Sequence, residues 1–198
     1  MVGIISDTTW LKSLNLLGQT TYEHIVAKTS EKLIEIFKAV ENEITKEFGE
    51  YFTALTAQKG LEQEHSHLRL PLSELWKEKI SNNPGFDFHT ISTCQRIVFG
   101  ESKYLTNRNA YGTSLEQVLE FNLDKKDHPD LNHLKNFIKN EEPIASFLKG
   151  DRAYAVAFSV NLEKSAKIEE YILKNQSMIN LCKTVNLLYL IGIAHESR

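Results

Sequence analysis

Two apolar segments in the last quarter of the chain constrain the fold most. Residues 152–160 show little alternation between polar and apolar side chains, which is typical of an interior strand covered on both faces. Residues 185–194 form a second apolar strand of the same kind, and residues 163–175 between them have the period of an amphipathic helix. With the helical segments and the hairpin that precede them, this order predicts an α/β sandwich with a central mixed sheet flanked by helices.

The first quarter of the chain is predicted to be helical. A short helix is expected after Asp7-Thr8-Thr9 and is expected to stop at Gly18, so we assign residues 1–18 to an N-terminal helical appendage and residues 19–198 to a single domain. A wide apolar stripe then runs from Thr20 to Phe48 and predicts the longest helix. Residues 51–59 fit either a continued helix or a first strand.

A β-hairpin is predicted over residues 84–105. Two short arms, rich in β-branched and aromatic residues, flank a polar joint at residues 92–95. With the loop at that joint, Asp87 falls across from Glu101. Because side chains alternate between the faces of a sheet, one face of the hairpin then carries four polar side chains: Asp87, His89, Glu101 and Lys103.

This face has the chemistry of a cation site. Opposed residues on neighbouring strands stand about 5 Å apart at Cβ, so the carboxylates of Asp87 and Glu101 repel each other and favour a divalent cation between them. Oxygen ligands suit Mg²⁺ or Mn²⁺ better than zinc. Lys103 is near enough to orient or deprotonate an attacking water, or to neutralise charge on a phosphate.

The spacing acid-x-Lys is common by chance and occurs twice. Asp124-Lys125-Lys126 ends a segment of helical period, where charges usually form a solvated face. Glu101-Ser102-Lys103 instead follows the apolar residues 97–100, and charges are seldom placed in a buried strand unless they are paired or bind metal. The alternative to a metal site is a structural ion pair between Glu101 and Lys103.

The hairpin resembles the PD-(D/E)xK nuclease superfamily, whose active site is an Asp on one strand and (D/E)-x-K on the next. The matching residues are Asp87 and Glu101-Ser102-Lys103, while Pro84 is displaced from its usual place beside the Asp. Gly-x-Asp-x-His followed by Gly-Glu-x-Lys also resembles the nuclease subunit of Hachiman-type antiphage systems. The resemblance is confined to these motifs and the order of elements around them.

The resemblance implies a metal-dependent endonuclease that hydrolyses phosphodiester bonds in DNA. Asp87 and Glu101 would hold Mg²⁺ (or Mn²⁺), assisted by the Ser102 backbone carbonyl, and Lys103 would position the water. His89 would touch the scissile phosphate or assist the metal; the alternative is a packed strand histidine. Family likeness also implies bacterial defence against phage or foreign DNA, with target choice supplied by a homodimer or by a partner such as a helicase.

Further candidates are implied by position. Members of the superfamily supply another acid from the first helix, and the residues at the border of the apolar stripe are Glu23 and Glu41. Arg108 lies in the loop after the second arm and could meet a phosphate. Gln117 is either a functional glutamine of the following helix or part of its capping box.

Composition bounds the classes of function. The net charge of −3 argues against a protein that coats nucleic acid electrostatically, a rule that nucleases with acidic metal sites often break. Two cysteines are too few for a disulfide framework and fit a reducing cytosol. Residues 1–6 lack the basic start of a targeting signal, and residues 185–194 are too few to span a bilayer, which predicts a cytoplasmic protein without a membrane partner.

The alternative function is a non-catalytic interaction subunit that keeps a nuclease-like fold.

Overall fold

The structure is a computed structural model, which describes residues 8–39, 46–77, 85–106, 108–162 and 166–195. Five strands form one sheet, and they are β1 Leu68–Arg69, β2 Phe88–Ile91, β3 Ile97–Lys103, β4 Ala153–Asn161 and β5 Leu187–His195. Their spatial order in the sheet is β1-β2-β3-β4-β5. The β1–β2 and β2–β3 pairs are antiparallel and the β3–β4 and β4–β5 pairs are parallel. The predicted α/β architecture with a mixed sheet is therefore confirmed.

Helices flank this sheet. Two short 3₁₀ helices cover Thr9–Ser13 and Ser73–Leu75. The α-helices of the described residues are α1 Leu16–Ala39, α2 Lys46–His65, α3 Tyr111–Leu123, α4 Asp127–Leu134, α5 Glu142–Leu148, α6 Ile168–Leu173 and α7 Gln176–Thr184.

The burial of strand β4 explains why its sequence does not alternate between polar and apolar residues. All nine of its residues are buried, because helices lie on both faces of the sheet. The neighbouring strand β3 shows the two layers: on one face its Phe99 ring packs against Phe147 of α5, with ring centroids 5.5 Å apart. On the other face the Ser102 hydroxyl lies 3.1 Å from the Glu50 carbonyl oxygen of α2. A strand enclosed in this way has no solvent side, so polar alternation would be costly.

The helix boundaries of the N-terminal quarter differ from the prediction. The expected stop at Gly18 is wrong, because the side chain of Asn15 accepts the Gly18 N–H at 2.8 Å and caps the start of α1 instead. The boundary predicted at residue 18 therefore falls inside α1. The stripe that was expected to form one helix up to Phe48 is helical through Ala39 in α1 and again from Lys46 in α2, and residues 40–45 lie outside the described residues. The ambiguous residues 51–59 are helical.

Two further differences concern helix starts. The capping box expected near Gln117 is wrong, because α3 begins earlier, at Tyr111, and has no side-chain cap. The hydroxyl of Ser114 donates to the Ala157 carbonyl of β4 at 3.0 Å, which anchors α3 to the sheet. Helix α7 was not predicted, although the Asn175 side chain caps it by accepting two backbone N–H groups.

Candidate active site

The predicted hairpin is confirmed in type and register. Strands β2 and β3 pair with Phe88 opposite Gly100 and His89 opposite Phe99. The paired register ends at Phe88, so the direct pairing of Asp87 with Glu101 that the sequence predicts is not part of the ladder between these two strands. The ladder is irregular at this point, because the Asp87 N–H donates to the Gly100 carbonyl at 2.8 Å and the Asp87 side chain turns toward β3.

Asp87 is bound to β3 through its carboxylate. One of its oxygens accepts the Ser102 N–H at 2.8 Å and the Ser102 hydroxyl at 2.6 Å. Asp87 is half-buried and Ser102 is buried. Charge-assisted hydrogen bonds of this length hold a carboxylate in one orientation, so Asp87 is fixed at the end of the hairpin.

Glu101 is the most unusual acid of the site. It is only 1% exposed, and its Oε1 accepts a hydrogen bond from Lys103 Nζ at 2.7 Å. Its Oε2 is buried and has no hydrogen-bond partner in the described ranges. A buried carboxylate oxygen without a donor is costly, and such an oxygen is available to a cation.

The electrostatics of Glu101 and Lys103 follow from their burial and from their neighbours. Burial raises the pKa of Glu101 well above its usual range, and the charge of Asp87 adds to that rise, while Lys103 opposes it. Burial alone would lower the pKa of Lys103, but the charges of Glu101 and Asp87 outweigh burial and raise it. Lys103 therefore carries its proton at neutral pH and suits the roles of orienting water and neutralising charge better than that of a base.

A third acid reaches the site from α2, and sequence reasoning missed it. Glu50 Oε1 lies 3.8 Å from Lys103 Nζ, and its charge contributes to the raised pKa of Glu101. The predicted acid Glu23 is instead exposed on α1, and Glu41 lies outside the described residues. The available signal was Gly49, since a Cβ there would overlap the Tyr104 ring, so the glycine lets α2 approach the end of β3.

His89 faces the interior. It is completely buried, its Nε2 lies 3.1 Å from Asp130 Oδ2, and its Nδ1 lies 3.3 Å from the Ser73 hydroxyl. Burial lowers its pKa, so the neutral ring donates from Nε2 to the carboxylate and accepts at Nδ1 from the hydroxyl. These contacts favour the alternative interpretation, a packed strand histidine.

The remaining candidates lie on other elements. Arg108 is exposed on the loop after β3, and Gln117 is half-buried within α3. Their proposed contacts with phosphate and substrate stay predictions.

The residues fit a hard divalent cation, although no complete cage is preformed. In the part of the chain that the structure describes, no group of three or more His, Cys, Asp or Glu side chains is arranged to hold a metal. Lys103 occupies one oxygen of Glu101, and Ser102 binds an oxygen of Asp87. The unpartnered Oε2 of Glu101 is the atom that a cation would satisfy, and the donor set of carboxylate oxygens suits Mg²⁺ or Mn²⁺.

Comparisons with protein-family models, with curated proteins and with solved structures found no match to this chain. Among the helices of the described ranges, none has both the length and the apolarity needed to cross a membrane.

Proposed function

We propose that this protein is a metal-dependent nuclease that hydrolyses phosphodiester bonds in DNA, on a restriction-endonuclease-like α/β fold. The observation that carries the proposal is Glu101, a fully buried acid with one oxygen on Lys103 and the other without a partner. Buried ionisable groups with strongly shifted pKa values concentrate at functional sites. Asp87 and Glu50, which approach from two other elements, add further negative charge around Lys103.

Each residue has a proposed role. Asp87 and Glu101 hold Mg²⁺ (or Mn²⁺), with the Ser102 backbone carbonyl as a further oxygen ligand. When bound, the cation supplies Lewis-acid stabilisation of the charge that develops on the phosphate. Lys103, held by Glu101 at 2.7 Å, orients the attacking water and adds positive charge at the phosphate. Glu50 takes the place that the resemblance gave to an acid of the first helix.

A second candidate function is a non-catalytic interaction subunit. The observation in its favour is that Asp87 and Glu101 already bind protein groups, Ser102 and Lys103, and that the described residues contain no preformed cluster of three ligands. On this hypothesis the acids and Lys103 form a salt-bridge network whose purpose is stability.

The proposal is tested by incubating the full chain with plasmid and linear DNA in Mg²⁺ or Mn²⁺. We expect cleavage by the wild type and a loss of at least about 100-fold in Glu101→Gln and Lys103→Met, since each removes a group that acts on the reacting phosphate. The matched control is Asp124→Asn, which alters the other acid-x-Lys motif at an exposed position and should cleave like the wild type.

Two results would decide against the nuclease. Cleavage retained in Glu101→Gln would remove the acid from the mechanism. Failure of the wild type to bind Mn²⁺ more tightly than Glu101→Gln in calorimetry, with both proteins folded, would favour the interaction subunit. Bacterial defence, and a helicase or second copy as the partner that selects targets, belong to the proposal through the family resemblance alone.

A further inference from the structure

A small apolar cavity lies beside the candidate active site. Its volume is about 210 Å³, which is below the range of about 300–1,000 Å³ typical of drug-sized ligands. It therefore has room for one flat ring system. Its wall is formed by the start of α2, the residue after β3 and the ends of β4 and β5: Phe48, Gly49, Phe52, Thr53, Tyr104, Ser159, Ile193 and Ala194.

The position of this cavity joins it to the acids. Gly49 precedes Glu50 in α2, and Tyr104 follows Lys103 in the chain, so two of the wall residues are covalent neighbours of charged site residues. The cavity and the acids also share the carboxyl end of the parallel strands β3, β4 and β5, where open α/β sheets bind ligands. The link between the two is Glu50, which lies 3.8 Å from Lys103 and shares one side of α2 with Thr53 of the wall, so a ligand bound at Lys103 and Glu50 can place an attached group in the cavity.

The chemistry of the wall is aromatic. The rings of Phe48 and Phe52 are half-buried and nearly parallel, with an interplanar angle of 13° and centroids 6.4 Å apart. Tyr104 supplies a third ring on the strand side of the cavity. Aromatic faces bind planar bases by stacking, whichever base is offered.

The polar side chains of the wall are already engaged. The Thr53 hydroxyl donates to the Gly49 carbonyl at 2.7 Å. The Ser159 hydroxyl donates to the Leu105 carbonyl and accepts the Leu105 N–H. These two hydroxyls are therefore occupied and do not read the edge of a base, which leaves the aromatic rings of the wall as the groups on which a base would stack.

We infer that the cavity binds an unpaired nucleobase next to the phosphate at the acid site, so that the substrate strand is single-stranded or splayed there. The inference rests on the proposed function and narrows its substrate class. A paired base inside a duplex is stacked on its neighbours and cannot enter a cavity of this size. Because the ring faces accept any base, binding should tolerate changes of sequence.

The test measures binding without cleavage. A fluorescein-labelled oligothymidylate of about 12 nucleotides, within the site sizes of about 4–16 known for single-strand folds, is titrated with the full chain in EDTA, and so is the same strand in a duplex with oligodeoxyadenylate. We expect the single strand to bind about ten-fold more tightly. Phe48→Leu should lose about ten-fold of that affinity, because it keeps an apolar side chain but removes a stacking ring.

Two matched variants control the measurement. Phe48→Trp retains a stacking ring and should bind the single strand as the wild type does. Tyr171→Leu removes an exposed aromatic ring of α6, which is not part of the cavity wall, and should leave the affinity unchanged.

The outcomes separate this inference from the proposed function. Equal binding of single strand and duplex, or an unchanged affinity in Phe48→Leu, overturns the cavity as a base site, even if the protein cleaves DNA in Mg²⁺. A Phe48-dependent preference for single strands supports the base site, even if no metal yields cleavage, in which case the nuclease proposal alone fails. No binding of either DNA overturns the inference.

Discussion

The side chains of Lys77 and Asp130 form an ion pair of 2.8 Å whose two members bind the two backbone polar groups of Phe86. Asp130 accepts the Phe86 N–H and Lys77 donates to the Phe86 carbonyl, each at 3.1 Å. Asp130 also binds His89. Since Phe86 immediately precedes Asp87, this pair fixes the backbone from which the first acid of the candidate site projects.

Removing one member of this pair should be strongly destabilising. The Lys77 and Asp130 side chains are only 15% and 4% exposed, and breaking a buried pair leaves an uncompensated charge that costs about 3–5 kcal/mol. We expect Asp130→Asn and Lys77→Met each to lower the free energy of unfolding in urea by about 3 kcal/mol. The double variant should lose at least about 1 kcal/mol less than the sum of the two; additive losses would show that the residues act separately.

The hairpin requires glycine at position 100. A Cβ on Gly100 would overlap the ring of Phe88, its cross-strand partner, and overpacking of this kind costs about 1–3 kcal/mol. We expect Gly100→Ala to lower the midpoint of urea unfolding. Gly60→Ala is the control, because a Cβ at this position in α2 meets no atom within 4 Å, and the change should stabilise the helix by up to about 1 kcal/mol.

Glu50 should matter for DNA cleavage and Glu23 should not. Glu50 lies 3.8 Å from the Lys103 ammonium, whereas Glu23 is exposed on α1. We expect Glu50→Gln to reduce the rate of plasmid cleavage by about 10-fold or more, because it removes a negative charge that helps to raise the pKa of Lys103 and so keeps its ammonium protonated. Glu23→Gln should cleave at the wild-type rate. A larger loss of cleavage in Glu23→Gln than in Glu50→Gln would assign the additional acid to α1, as the family resemblance first suggested.

Glu101 should contribute little to the stability of the metal-free protein. Burial raises the pKa of Glu101, so folding favours the protonated carboxyl. This preference stabilises the fold below the pKa of the unfolded chain, near 4.5, and the stabilisation is lost as pH rises toward the pKa of the folded protein. At neutral pH we expect Glu101→Gln, without metal, to change the free energy of unfolding by less than about 1 kcal/mol, because it removes a buried carboxylate whose ionisation opposes folding but also leaves the Lys103 ammonium without its partner. A marked loss of stability would instead indicate that Glu101 is a structural partner of Lys103.

The stability of the protein should fall in mild acid through His67. This buried histidine binds the Thr90 and Tyr189 hydroxyls at 2.9 and 3.0 Å, and burial, with a smaller effect of His65, lowers its pKa to about 4. The unfolded chain takes up the proton first, so the contribution of His67 to stability is constant above about pH 6.5 and declines toward pH 4, by up to about 3 kcal/mol.

Urea unfolding across this pH range measures the decline. His67→Gln should show a shallower dependence on pH than the wild type. His24→Gln, which alters an exposed histidine of α1, should keep the wild-type slope. Parallel curves for the wild type and His67→Gln would show that His67 does not titrate differently in the two states.

Local sequence patterns were sufficient for four of the five strands, and β1 was not predicted. The mostly apolar residues 152–160 correspond closely to β4, and residues 185–194 correspond closely to β5. The arms of the hairpin and its register were also predictable, because a period of two assigns every side chain of a strand to a face once the turn is placed. This is why Asp87 and Glu101 were found to lie at one end of the hairpin.

Contacts between distant elements were decided only by the tertiary structure. No local pattern distinguishes Glu50 from Glu23, since each lies on a helix, and only the close approach of α2 to Tyr104 brings Glu50 to Lys103. In the same way His89 is a polar strand residue by sequence, and its burial depends on Asp130, 41 residues away.

The sequence by itself therefore determined which side chains lie on which face of each strand, because this depends on backbone geometry within a few residues. The tertiary structure decided which acid, serine or lysine each of those side chains meets. That choice depends on how helices pack across the sheet, and the packing is set by the fit of whole surfaces.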